Sequence, residues 1–340
     1  MIRDFGVLPD GTPGGTPGGK MVQEVTLKKG ALEASVLTFG AVIRDLKVDG
    51  QSVVLGFEDL QSYLDHRNYF GAIVGRCANR IAAGGLTIDG TNYQLDRNEQ
   101  GLNHLHGGSN GFFNRVWQLE QHDKASVLLK LVSDDGDMGY PGRVEALVRY
   151  TLTGTGALRV KIAAVTDKTT PVNLTQHSYF NLDGNSTILD HTLEIAAETY
   201  LPVDDQLIPT GEIRKVEWTP YDFQGGRRIR RKAGEENVIY DHNFCLSAQP
   251  RETVQFAAAL EDGAGERRME VWTTEPGLQF YDAGKLDVPV PGLGGKRYGP
   301  HAGLCLETQR WPDSVNREGF TSVLLRPSET YSHVTEYRFS

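Results

Sequence analysis

The sequence predicts an all-β fold, one large sandwich of antiparallel sheets, on three observations. Apolar and polar residues alternate over many short segments, the period of strands with one buried face. The 39 Gly and 15 Pro residues fall between those segments, as turn residues do. Helical periodicity is scarce, and its best candidate is the short stretch from Glu58 to Leu64, with Leu60 and Leu64 one turn apart. In chain order, Thr12-Pro-Gly-Gly is repeated at once as Thr16-Pro-Gly-Gly, a low-complexity run that buries no side chains, so residues 11–19 read as a flexible hairpin loop. Asp89-Gly90 joins one pair of strands. Val144, Ala146, Val148, Tyr150 and Leu152 share one face, with Glu145, Arg149 and Thr151 on the other, and Leu158, Val160, Ile162 and Ala164 repeat the alternation. The turn signal Gly154-Thr155-Gly156 between them makes this an antiparallel hairpin. No composition shift marks a second domain, so residues 1–340 read as a single domain.

Composition narrows the partners. Apolar residues are 39% and charged residues 23% of the 340, enough for a core and too little charge for a disordered chain. A formal net charge of -9 argues against nucleic acid and anionic membrane partners, both of which call for a basic footprint. Cys77, Cys245 and Cys305 lie far apart and are odd in number, which points to a reducing, cytoplasmic setting and away from a disulfide framework. No signal-peptide pattern or membrane-length apolar run is expected. A small neutral or cationic molecule fits this balance as ligand.

Candidate chemistry comes from several separate segments. In Pro171 to Phe180, an extended chain puts Asn173, Thr175, His177 and Tyr179 on one face and Val172, Leu174 and Phe180 on the other. A polar stripe centred on a histidine reads as a cleft lining or as a strand facing solvent. Gly303 to Gln309 sends Leu304 and Leu306 one way and Cys305, Glu307 and Gln309 the other. Half-burial beside Cys305 would raise the Glu307 carboxyl towards the range of a general base, while the plain alternative is an exposed edge glutamate. His104 and His106 share one side of a strand, a pair that suits a metal, but no third ligand follows at short spacing. Gly107 and Gly108 beside them permit a close approach of ligand or backbone.

In Gly75 to Ile81, Arg80 has the two-pronged donor set that grips vicinal hydroxyls or a ring oxygen, whereas Arg76 reads equally as part of a structural salt bridge. Asp241, Gln279 and Tyr281 add an acceptor, an amide and an aromatic face, the usual equipment for holding a sugar. Arg227, Arg228, Arg230 and Arg231 form the only basic run, which reads as a solvated loop.

Together these segments resemble the galactose mutarotase (aldose 1-epimerase) family: Gly75 to Ile81, Leu105 to Gly108, Asn173 to Leu182, Asp241 to Phe244, Pro276 to Tyr281 and Leu306 to Gln309, in the family's order. Val54 to Phe57, Tyr140 to Gly142, Tyr200 to Val203, Ile208 to Gly211 and Trp311 to Asp313 extend the match over nearly the whole chain. The resemblance implies a β-supersandwich with a sugar cleft on one sheet. It implies Glu307 as general base, His177 as general acid, and Asn79, Arg80, His106, Asp241 and Gln279 as substrate-gripping residues. It departs at Gln176, where many members have Asn, at Phe113, which replaces an acidic residue, and at Gln224, where Arg is usual.

The reaction so implied interconverts the α and β anomers of free aldohexoses such as galactose and glucose. Glu307 as carboxylate takes the anomeric hydroxyl proton, His177 as imidazolium protonates the ring oxygen, the open aldehyde rotates, and reclosure reverses the transfers. No metal or organic cofactor is expected, and a monomer or weak homodimer is the expected state. A bell-shaped pH profile follows, with the carboxyl on the acid limb and the imidazole on the alkaline limb. Three rivals remain: a glycoside hydrolase using Glu307 and Asp241, a non-catalytic sugar-binding protein, and a hexose-6-phosphate epimerase whose phosphate only the arginine run would meet.

Overall fold

The computed structural model describes residues 1–9, 19–230 and 238–340. The expected loop at residues 11–19 lies outside this set except for Gly19, and Arg231 lies outside it too. Three antiparallel sheets dominate. The first is a five-stranded meander of Ile2–Leu8, Lys20–Lys29, Leu32–Leu37, Ile43–Val48 and Gln51–Ser52. The second has nine strands, among them Ser126–Ser133, Val144–Leu152, Ala157–Thr166 and Tyr331–Phe339 in adjacent positions. The third, which carries the site, has six strands in the order Tyr179–Phe180, Leu304–Gln309, Gly277–Tyr281, Asp241–Cys245, Thr199–Tyr200, Arg214–Lys215. Every strand pair within these sheets is antiparallel.

The expected hairpin forms as read. Val144 pairs with Thr166 and Leu152 with Leu158, and Val144, Ala146, Val148, Tyr150 and Leu152 are all buried. Asp89 and Gly90 both take positive φ, 48° and 79°, the backbone that a two-residue turn between right-twisted strands requires. They join Gly85–Ile88 to Thr91–Gln94. The one α-helix among the described residues is Leu60–Asp65, slightly later than the Glu58 to Leu64 expectation. The Asp59 side chain caps it by accepting from the Ser62 amide at 2.9 Å.

The three sheets share one apolar core. Val25 and Leu32 of the first, Val148 and Ile162 of the second, and Phe280 and Leu306 of the third belong to one buried cluster. Each such fully buried aliphatic contributes about 1.5–3 kcal/mol by leaving water. With its inner face anchored there, the six-stranded sheet can carry polar groups on its other face. No helix among the described residues is long and apolar enough to cross a membrane.

Candidate active site

Three neighbouring strands of the six-stranded sheet set the floor of the site. Asp241 lies opposite Tyr281, which lies opposite Cys305; in the next row Asn243, Gln279 and Glu307 stand side by side. Period two sends Leu278, Phe280, Leu304 and Leu306 into the core, so Gln279 and Glu307 face away from it. His177 arrives on Thr175–His177, which pairs with Ala72–Val74. The Thr175 hydroxyl donates to the Thr308 carbonyl at 2.7 Å and so pins this segment against the strand of Glu307. The outcome is a buried pair, His177 Nε2 and Glu307 Oε2, 3.6 Å apart.

Around the pair stand groups suited to hydroxyls. Arg80 turns one edge to Glu99, with three hydrogen bonds of 2.8–3.0 Å, and its Nη1 lies 3.7 Å from Asp241 Oδ2. Gln279 Nε2 donates to Asp241 Oδ1 at 2.6 Å, while Gln279 Oε1 and Glu307 Oε2 are buried without a hydrogen-bond partner. Asn79 holds its neighbours: its Oδ1 accepts from the Arg80 amide at 2.8 Å, and its own amide donates to His106 Nδ1 at 3.1 Å. Tyr69 packs against both histidine rings, 4.7 Å from His106 and 5.7 Å from His177, and Tyr179 stacks on His177 at 5.2 Å. His177, Glu307, Arg80, Glu99, Asp241 and Tyr69 line a cavity of about 500 Å³.

Burial decides where the protons rest. It pushes the Glu307 carboxyl well above the usual carboxylate range, and the nearby Asp241 charge adds to this while Arg80 opposes it. Burial pulls His177 down to about 4. The carboxylate and imidazolium of the sequence reading are thus the disfavoured pairing in the free protein. Between the two members the protonated carboxyl and neutral imidazole are favoured over carboxylate and imidazolium. Asp241 is also raised by burial, against Arg80 and Gln279.

A metal fits this set poorly. Donor atoms of His106, His177 and Glu307 lie within 4.8 Å of one another, as a three-ligand site would need. The amide hydrogen bond into His106 Nδ1, however, fixes the tautomer with hydrogen on Nε2. A metal at Nε2 would have to displace that hydrogen while Nδ1 still faces an N–H. His106 is thus built as a hydrogen-bond donor.

A larger cavity, about 700 Å³, lies elsewhere, beside Arg44, Asp45, Asn181 and Tyr298. Several of its polar groups are already engaged: Arg44 with Glu24 and Glu58, Ser52 with Asp45, Asn181 with the carbonyls of Asn185 and Ala302. The smaller cavity holds the buried His177–Glu307 pair and is the candidate site.

Residues 23–338 match the pattern of the aldose 1-epimerase family. The chain belongs to the aldose 1-epimerase family. The chain is 42% identical to the galactose mutarotase of Homo sapiens, with 99% of this chain and 97% of that protein covered. It is 36% identical to the aldose 1-epimerase of Escherichia coli K12, over 96% and 98%. Among solved structures, an aldose epimerase homologue from C. elegans superposes with a TM-score of 0.87 at 30% identity, covering 93% of this chain and 98% of that one. Galactose 1-epimerase from Lactobacillus acidophilus gives 0.84 at 27% identity, covering 100% and 98%. The all-β architecture is thus a galactose mutarotase-like fold.

Against this family frame the sequence expectations divide. Glu307, His177, Arg80 and Asp241 converge on the cavity, and His106, Gln279 and Asn79 buttress them. Asn173 and Thr175, placed on the same polar stripe, are structural: Asn173 bonds both ways with the Arg310 backbone at 2.9 and 3.0 Å. His104 is no partner for His106, because its two ring nitrogens are taken by the Asp96 carbonyl and the Tyr140 hydroxyl, both at 2.6 Å. Arg76 is structural, as the bland reading had it, though through carbonyl oxygens of Ser133, Asp134, Pro141 and Gly142 instead of a carboxylate.

Of the described residues of the arginine run, Arg228 and Arg230 are exposed, as a solvated stretch would be, and only Arg227 is half-buried. Arg227 bonds the Pro220 carbonyl and lies over the Phe223 ring, and Arg230 pairs with Asp190. The cations that do reach the cavity besides Arg80 are Arg67 and Lys285, which the sequence reading did not single out. Glu99 and Tyr69 were missed as well. Both sit in loops without periodicity, where only the pairing of Glu99 with Arg80 in space gives them away. The departures at Gln176 and Phe113 affect packing: Gln176 bonds Gly71 and Ser178, and Phe113 meets Tyr69 edge-on at 4.8 Å.

Proposed function

We propose that the protein interconverts the α and β anomers of free aldohexoses, with Glu307 and His177 as the proton-transfer pair. The observation that carries this is their 3.6 Å separation inside a buried cavity. The anomeric hydroxyl and the ring oxygen hang from one carbon, so the two groups that serve them must stand this close. Glu307 takes the hydroxyl proton, His177 delivers a proton to the ring oxygen, the bond from the anomeric carbon to the ring oxygen breaks, and the carbonyl forms. Rotation about the neighbouring carbon–carbon bond exposes the other carbonyl face. Reclosure returns both protons along the same routes and gives the opposite anomer.

Arg80, held by Glu99, and the Nε2 hydrogen of His106 donate to sugar oxygens, while Asp241, held by Gln279, accepts from a hydroxyl. The ionisable lining comprises Arg67, Arg80 and Lys285 against Glu99, Asp205, Asp241 and Glu307. That balance favours a neutral hexose over a hexose phosphate. One catalytic domain accounts for the chain, supported by the family match from residue 23 to 338 and the core shared by the three sheets. The three free cysteines support a reducing, cytoplasmic setting.

Polarimetry of freshly dissolved α-galactose and α-glucose tests the reading. The protein should speed the approach to equilibrium rotation for one or both sugars and release no reducing sugar from aryl glycosides. An unchanged approach for both sugars, with the protein folded, would sink the proposal.

A further inference from the structure

The strand Leu304–Gln309 meets the His177 ring at both of its nitrogens. Glu307 lies 3.6 Å from Nε2, and Cys305, two residues earlier and on the same face, places Sγ 3.5 Å from Nδ1. Cys305 is fully buried, and Tyr179, its cross-strand neighbour, stacks on the imidazole. One side chain of the pair is spoken for by the proton transfer. The other has no role in it so far.

We propose that Cys305 is a positioning residue for His177: its sulfur accepts the Nδ1 hydrogen, fixes the Nδ1–H tautomer, and leaves Nε2 as the nitrogen that exchanges the proton. This rests on the reading of His177 as the acid. Whenever His177 gives its Nε2 proton to the ring oxygen, the neutral ring left behind must carry hydrogen on Nδ1. The same tautomer leaves the Nε2 lone pair facing Glu307 Oε2 across 3.6 Å in the free protein. A tautomer with hydrogen on Nε2 alone would have to lose it and form an imidazolate, which is out of reach.

The choice of sulfur matters because of what it withholds. A carboxylate at Nδ1, as in a Ser-His-Asp triad, stabilises the imidazolium and makes the histidine a better base. A thiol is uncharged and a weak acceptor, so it orients the ring and leaves the imidazolium ready to release its proton. Burial keeps Cys305 in the thiol form, well above its ordinary range, which prevents a thiolate from playing the carboxylate's part. The ring oxygen of a sugar is a feeble base, and a strong acid is what it requires.

Two variants and one spectroscopic readout test this on the full chain. The two-bond proton–nitrogen NMR correlation of His177 in the unaltered protein should show hydrogen on Nδ1. Cys305→Ala should give a mixture of tautomers and a turnover about tenfold lower, the worth of one orienting hydrogen bond, with KM for galactose within about twofold. Cys305→Ser, which keeps an acceptor, should restore the tautomer and most of the turnover. An Nε2–H tautomer in the unaltered protein would overturn the proposal. So would a Cys305→Ala variant with unchanged tautomer, whatever its turnover, because a pure packing loss would leave the ring's hydrogen in place. Should Glu307→Gln retain full activity, the acid–base reading fails, yet the NMR result still decides whether Cys305 sets the tautomer.

Discussion

Removing either member of the Glu307–His177 pair should stall one and the same step. In Glu307→Gln the side chain keeps its shape, but the amide nitrogen only donates and the amide oxygen is too weak a base to hold the hydroxyl proton. Turnover should fall by about 10²- to 10⁴-fold, the worth of a positioned general base, which is about 3–5 kcal/mol of barrier. His177→Asn should lose a similar amount. The atoms are 3.6 Å apart and serve two oxygens of one carbon, so neither transfer is useful without the other. The double variant should therefore lie within about tenfold of the worse single variant, far short of the product of the two losses. Polarimetry on α-galactose, corrected for spontaneous mutarotation, gives the rates, and calorimetric titration checks that galactose still binds. Stability gives an independent control. Glu307 Oε2 has no hydrogen-bond partner, so exchange for an amide removes a buried acid at little cost, and Glu307→Gln should melt at or above the parent temperature. Losses that multiply would show that the two residues serve separate steps, and near-normal turnover in Glu307→Gln would show that the base has been placed on the wrong residue.

The pH profile of kcat/KM should be a bell whose active species carries one proton on the pair. Its acid limb belongs to His177, pulled to about 4 by burial, and its alkaline limb to the raised Glu307 carboxyl. Rate measurements from pH 4 to 9 on Glu307→Gln test this, since an alkaline limb that survives the substitution cannot belong to the carboxyl. Glu275, fully buried and raised to about 7, should destabilise the fold increasingly as pH rises from its unfolded value near 4.5 to 7, and by a constant amount above that. Glu275→Gln should accordingly melt higher than the parent at pH 8, by about 3 kcal/mol, and show little gain at pH 4.5, as calorimetric melts at the two values would reveal. Gly107 has φ +89°, and an added Cβ would lie 1.7 Å from the Gly75 carbonyl oxygen. Gly107→Ala should cost more than about 3 kcal/mol in denaturant unfolding, and a variant as stable as the parent would contradict the backbone geometry.

The parts of the fold that were legible from sequence are those where one face meets the core and the other meets water. Val144 to Leu152 alternates cleanly for that reason, and Asp89-Gly90 announces its turn because few residue pairs accept two positive φ values. The segment from Pro171 to Phe180 was harder. It reads as one strand with a polar face, yet it pairs in three short pieces with three partners, Leu324–Leu325, Ala72–Val74 and Leu304–Cys305. Both of its faces are buried, and Asn173, Thr175 and Gln176 bond backbone groups distant in sequence, those of Arg310, Thr308 and Gly71. Period two cannot separate a hydroxyl that pins a strand, such as Thr175, from an imidazole that lines the cavity, such as His177.

The site was legible in its residues and not in its protons. Glu307 was placed beside Cys305 on a half-buried face, which foresaw a raised carboxyl, but the depth of burial that lowers His177 as well appears only when Tyr69, Tyr179 and His106 close around the ring. These three come from separate stretches of the chain, and the left-handed turns at Tyr69 and His106, φ 59° and 51°, leave no periodic trace. The consequence is chemical. With the carboxyl raised and the imidazole lowered, the pair prefers its neutral form, and the reactive ionic form is reached by moving one proton across 3.6 Å. Each unit of pKa between them makes that ionic form tenfold rarer and costs about 1.4 kcal/mol. The same burial makes the carboxylate a stronger base and the imidazolium a stronger acid, and proton transfer to so weak a base as a ring oxygen rewards the stronger acid. A pair exposed to water would be ionic more of the time and would transfer each proton less readily, so burying both groups, at a cost to the fold, is what the reaction asks of this sheet.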